Sequence, residues 1–93
     1  MTDPDAKLQS LEDLELECAK WRNESLAVVL VNGAFDVLHV GHLRDLAAAR
    51  ALGDRLVVAV NSDESVRASK GEKRPIIPEA ERVEILSHLW MVD

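Results

Sequence analysis

The sequence predicts an α/β fold, a parallel sheet with flanking helices, on three observations. Residues 27–31 and 56–60 are short, uninterrupted aliphatic runs, the composition of strands buried on both faces. Between them, residues 40–52 are rich in alanine and leucine and run into Gly53, as a crossover helix does. Asn32-Gly33 closes the first run and Asn61-Ser62-Asp63 the second, and such residues punctuate strand ends. Together these segments form one βαβ unit, whose crossover is expected to be right-handed.

In chain order, residues 1–9 read as a flexible polar lead, and residues 10–93 as the domain. Ser10 and Asp13 make a capping-box pattern. Leu11, Leu14, Cys18 and Trp21 follow at helical spacing and predict a buried stripe that includes Cys18 as a small apolar residue. Gly53 suits a left-handed helix cap. Residues 63–69 read as a short helix capped by Ser62 and ended near Gly71. The loop from 70 to 75 gathers Lys70, Lys73 and Arg74. Pro78 suits the first turn of a last helix, with Glu79 and Glu81 near its N-terminus and Val83, Leu86, Leu89 and Trp90 on its buried face. His88 and Arg44 read as surface residues. At Val92-Asp93 a third strand is expected to begin.

Ninety-three residues make one small domain. With 47% apolar and 30% charged residues the composition is that of a folded protein. A formal charge of −6 excludes a broad basic surface for nucleic acid, so an anionic ligand must be held by local donors. Cys18 is the single cysteine, which leaves no internal disulfide and no cysteine metal cluster; the metal expectation is none. The acidic N-terminal stretch lacks signal-peptide character and no apolar run is long enough for a bilayer. The expectation is a soluble, cytoplasmic protein with neither membrane nor nucleic-acid partners.

The chemistry concentrates in residues 33–42, GAFDVLHVGH. His39 and His42 stand three apart at a helix start, so their rings share a face. The helix N-terminus adds unpaired N–H groups and part of a positive charge, which together suit a phosphate. Gly41 places no side chain between the rings. Asp36 reads as a helix cap. Phe35 reads as packing, with its N–H and that of Ala34 available to a phosphate.

Phe35-Asp36-x-x-His39-x-Gly41-His42 resembles the signature of the nucleotidyltransferase superfamily with the HxGH motif. A narrower likeness, to the adenylyltransferase domains of bacterial ADP-heptose synthases, rests on Asn32-Gly33-x-Phe35-Asp36, Ala49 to Asp54, Asn61-Ser62-Asp63, Lys70-Gly71-x-x-Arg74-Pro75, Arg82 and Val92-Asp93. The resemblance implies a Rossmann-like sheet, seen here up to the expected third strand, with the later part of the domain absent. It implies His39, His42 and Lys70 as catalytic groups. It implies nucleotide contacts at Asn32, Gly33, Ala34, Phe35, Gly41 and both histidines, and substrate contacts at Asp36, Asn61, Asp63, Lys70, Arg74 and Arg82. Mg²⁺ would arrive with the nucleotide phosphates. The implied reaction takes a nucleoside triphosphate, ATP in first place, and a sugar 1-phosphate to a nucleotide-sugar and pyrophosphate. CTP with glycerol 3-phosphate is the alternative, and a non-catalytic nucleotide-binding or assembly module the third reading. An exposed sheet edge implies a homo-oligomer, such as a dimer, or cover by a missing C-terminal half.

Overall fold

The computed structural model describes residues 4–93. Helix α1 (Pro4–Lys7) and helix α2 (Leu11–Asn23) lead into strand β1 (Val28–Gly33). Helix α3 (Val40–Ala51) crosses to strand β2 (Arg55–Val60), and helices α4 (Asp63–Lys70) and α5 (Glu79–Ser87) follow. β1 and β2 form a two-stranded parallel sheet in which Val28 pairs with Arg55 and Gly33 with Val60. This is the expected α/β architecture. Both strands are longer than the aliphatic runs alone, because Asn32 and Gly33 still extend β1 and Arg55 opens β2.

The polar lead expected at the N-terminus is helical from Pro4 to Lys7, and Lys7 Nζ donates to Leu89 O at 2.9 Å. Residues 1–3 lie outside the described residues. Ser10 caps α2 as its sequence predicts, its hydroxyl accepting the Asp13 N–H at 3.2 Å, and Ser62 caps α4 through the Ser65 N–H.

The core is a single cluster of Leu46, Leu56, Leu86, Met91 and Val92, with Phe35 and Leu38 packed against it. Two predicted stripes are only half buried. On α2, Trp21 is buried while Leu11 is 73% exposed; Leu86 of α5 is buried while Trp90, just beyond it, is 75% exposed. Cys18 is intermediate rather than buried. A two-stranded sheet offers each helix a narrow surface, and only the residue directly over it is covered.

Gly53 does not take the left-handed conformation expected of it; among the described glycines only Gly71 has positive φ, at 102°. A side chain at Gly53 would meet Val29 Cγ2 at 2.8 Å and Ala27 O at 2.9 Å. Its missing Cβ instead lets the turn into β2 press against β1. Asp54 seals that turn by donating its N–H to Ala27 O and accepting the Ala27 N–H. Among the described residues, no helix is long and apolar enough to cross a membrane.

Candidate active site

β1 ends in a sharp change of direction. Phe35 sits at φ 50°, a left-handed conformation uncommon outside glycine, and its ring folds back over Gly33, where a Cβ would lie 2.9 Å from Phe35 Cε2. Phe35 is thus a packing residue, as read from the sequence, and it meets His42 edge-on with ring centroids 6.1 Å apart. The turn delivers His39 to the N-cap of α3 in an extended conformation.

The two imidazoles share one face, their centroids 4.1 Å apart. Each also caps the helix. His39 Nδ1 accepts the Gly41 N–H at 3.0 Å, and His42 Nδ1 accepts the His39 N–H at 3.2 Å. A ring nitrogen that accepts carries no proton, so in each neutral ring the proton resides on Nε2. The reciprocal caps therefore leave each ring one outward donor, Nε2–H. They also occupy two of the helix N-terminal N–H groups expected to meet a phosphate directly. At Gly41 a Cβ would lie 2.7 Å from His39 Cε1 and 2.9 Å from its Nδ1. The space is taken by the His39 ring.

An open cavity of about 530 Å³ lies over this junction. It is lined by the end of β1 and the turn, from Asn32 through Asp36, by His39 and His42, by Lys70 at the end of α4 and by Arg74 on the loop that follows. Of the sequence-predicted residues, these are brought together. Lys70 forms no ion pair among the described residues, and Arg74 commits only Nη1, to Asp36. Asp45 also lines the cavity. Sequence reasoning missed it, although it stands one helical turn beyond His42, at the i+3 spacing that would have found it.

Asp36 is not the cap of α3. Its carboxylate is 4% exposed and accepts the N–H groups of Ile76 and Ile77 at 2.8 and 2.9 Å, together with Arg74 Nη1 at 2.8 Å. The Ile77 N–H, outweighing the opposing effect of burial, with Arg74 and Ile76 holds the carboxyl down at about 2, from 3.8. With both oxygens occupied, Asp36 fastens the 74–77 loop to the turn after β1 and has no free oxygen aimed at a substrate.

Asn61, Asp63 and Arg82 do not reach the cavity lining. Arg82 is 1% exposed. Its Nη1 donates to Ala34 O and Asn61 O, Nε to Ile77 O, and Nη2 to Asp63 Oδ1 at 2.7 Å. Asp63 Oδ1 also accepts the Glu79 N–H at 2.8 Å. Arg82 and Asp63 form a structural hub that ties the ends of both strands, through Ala34 O and Asn61 O, to the start of α4 and the loop before α5. Among the described residues, no group of three or more His, Cys, Asp or Glu side chains could hold a metal ion.

The chain is 50% identical over 91 residues to the bifunctional protein HldE of Citrifermentans bemidjiense, covering 98% of this chain and 19% of that protein. It is 49% identical over 94 residues to HldE of Geobacter metallireducens, covering 99% of this chain and 19% of the relative. It thus spans about a fifth of the length of these relatives. Among solved structures, the lipopolysaccharide core biosynthesis protein of Thermoplasma volcanium matches with a TM-score of 0.68 and 40% identity, over 73% of this chain and 54% of that one. Residues 30–93 match the family described as cytidylyltransferase-like. That match takes in the paired histidines and every residue of the cavity wall, and the chain belongs to the cytidylyltransferase-like family.

Proposed function

We propose that the cavity binds a nucleoside triphosphate, as its Mg²⁺ complex, and transfers the nucleotidyl group to a phosphorylated sugar. A phosphate oxygen of the acceptor attacks the α-phosphorus, the bond to the β-phosphate bridging oxygen breaks, and pyrophosphate leaves. Such transfers need positioning and charge neutralisation rather than a covalent enzyme intermediate. The carrying observation is the pair of imidazoles whose Nδ1 atoms are both engaged by backbone N–H groups. The arrangement presents two preorganised Nε2–H donors to charge developing on the α-phosphate oxygens. Lys70 and Arg74, which line the same cavity, neutralise the triphosphate and the acceptor phosphate.

The resemblance to the adenylyltransferase domains of ADP-heptose synthases favours a sugar 1-phosphate of heptose type as acceptor and ATP as donor, and a solved relative named for lipopolysaccharide core biosynthesis is in keeping with a sugar substrate. CTP with glycerol 3-phosphate is the competing pair within the same family. The reading places the protein in the cytoplasm, where nucleoside triphosphates are available. The test is pyrophosphate release by the purified chain with ATP or CTP, each paired with heptose 1-phosphate or glycerol 3-phosphate. Turnover is expected with ATP and the sugar phosphate. Turnover with CTP and glycerol phosphate alone would reassign the substrates, and triphosphate binding without turnover in any pair would make the chain a nucleotide-binding module.

A further inference from the structure

One carboxylate in the cavity over the histidines has no work to do in the fold. Asp45 lines that cavity together with His39, His42, Lys70 and Arg74. It is the sixth residue of α3, which begins at Val40, so it lies past the first turn, where the helix dipole would favour an acidic side chain. The positions three and four away along the helix hold Gly41, His42, Ala48 and Ala49, and none is a lysine or arginine that could pair with it. Asp45 is exposed and forms no ion pair among the described residues. It shares a face with His42 and stands about 4.5 Å further along the helix axis. The other acid of the lining, Asp36, spends both oxygens on Ile76, Ile77 and Arg74. Asp45 is thus the lining carboxylate with oxygens left to offer.

We propose that Asp45 is a specificity residue of this site, its carboxylate accepting hydrogen bonds from hydroxyls of the sugar joined to the phosphate that the two imidazoles hold. The proposal rests on the nucleotidyl-transfer reading of the cavity and adds a residue to it. A carboxylate offers acceptors only, and so do the phosphate oxygens of a bound substrate, so the two repel. The donors that a nucleotide or a sugar phosphate carries next to its phosphate are sugar hydroxyls. Among the lining residues Lys70 and Arg74 supply two positive charges, and Asp36 and Asp45 two negative ones. Asp45 therefore cancels charge that a site for phosphate alone would keep. That handicap is offset where a hydroxyl donates to the carboxylate, because hydrogen bonds to an ionised acceptor are the stronger kind. The base of a nucleotide lies beyond its ribose, further from a residue one turn past His42.

Titration calorimetry on the whole chain tests it, using two ligand pairs that differ in their hydroxyls: MgATP against its 2′,3′-dideoxy analogue, and heptose 1-phosphate against methyl phosphate. In wild type the hydroxyl-bearing member of at least one pair is expected to bind more tightly, and equal binding within both pairs overturns the proposal. Asp45→Ala is expected to weaken that member by about tenfold or more, and to leave its hydroxyl-free analogue unchanged or more tightly bound. An effect in the ATP pair assigns the donors to the ribose, and one in the other pair to the acceptor sugar. Asp45→Asn, which keeps an acceptor oxygen without the charge, is expected to fall between. Unchanged or tighter binding of both hydroxyl-bearing ligands by Asp45→Ala overturns the proposal and leaves the nucleotidyl-transfer reading standing. Equal weakening of a ligand and its hydroxyl-free analogue overturns it too, by giving Asp45 a role in the shape of the site. Failure of wild type to bind MgATP overturns the reading of the cavity and the proposal with it.

Discussion

Two sets of polar side chains meet at the carboxyl ends of the strands, and they differ in what they have left to give. Arg82 and Asp36 are buried and nearly saturated by the protein's own backbone. His39, His42, Lys70 and Arg74 line an open cavity and keep donors uncommitted. The first set holds strand ends and loops in register; the second faces whatever enters. Residue type alone does not tell them apart, because an arginine and an aspartate are as plausible for a ligand as for a scaffold. The difference lies in how many of their hydrogen bonds the fold has already used.

Substitutions can break or sharpen this contrast. Arg82→Leu should be the most damaging, since it leaves the carbonyls of Ala34, Asn61 and Ile77 without their donor around a buried site, at about 1–3 kcal/mol for each group left unsatisfied. A lowered denaturation midpoint checks this, and near-normal stability would move Arg82 out of the scaffold. His39→Ala and His42→Ala should each lower nucleotidyl transfer on the order of 10²–10³-fold, while the lost cap costs only about 1 kcal/mol of stability. Rates within a few-fold of wild type would remove the rings from the reaction. Asp36→Asn should show itself chiefly in acid. Because the carboxyl is lowered from 3.8 to about 2 in the fold, its contribution is complete above the higher value and lost as pH falls toward the lower one. The variant should therefore lose stability less steeply than wild type across that interval, measured by acid unfolding. Trp90→Ser, at a side chain left 75% exposed, should change stability by no more than about 0.5 kcal/mol.

Local features were legible in the sequence. The serine caps at Ser10 and Ser62 and the alanine-rich α3 depend on neighbours within a turn or two, both strands are marked by their own aliphatic runs, and all form where read. The histidine pair was legible for the same reason, its partners lying two and three residues away. The roles of Asp36 and Arg82 were not. Asp36 finds its donors 38 to 41 residues away and Arg82 its acceptors up to 48 residues away, distances at which periodicity says nothing. Leu11 and Trp90 were misplaced because helical spacing identifies a face but not how much sheet lies beneath it.

Every rung between β1 and β2 joins residues 27 apart, from Val28 with Arg55 to Gly33 with Val60. No short hairpin can nucleate this sheet, so the entropy of closing that span falls on the transition state. The order of events during folding then hinges on α3: while it is unformed the strands are held apart by a floppy tether, and once it is wound they are delivered side by side. Helix-weakening changes on its outer surface, at Ala48 for instance, should slow refolding far more than they hasten unfolding.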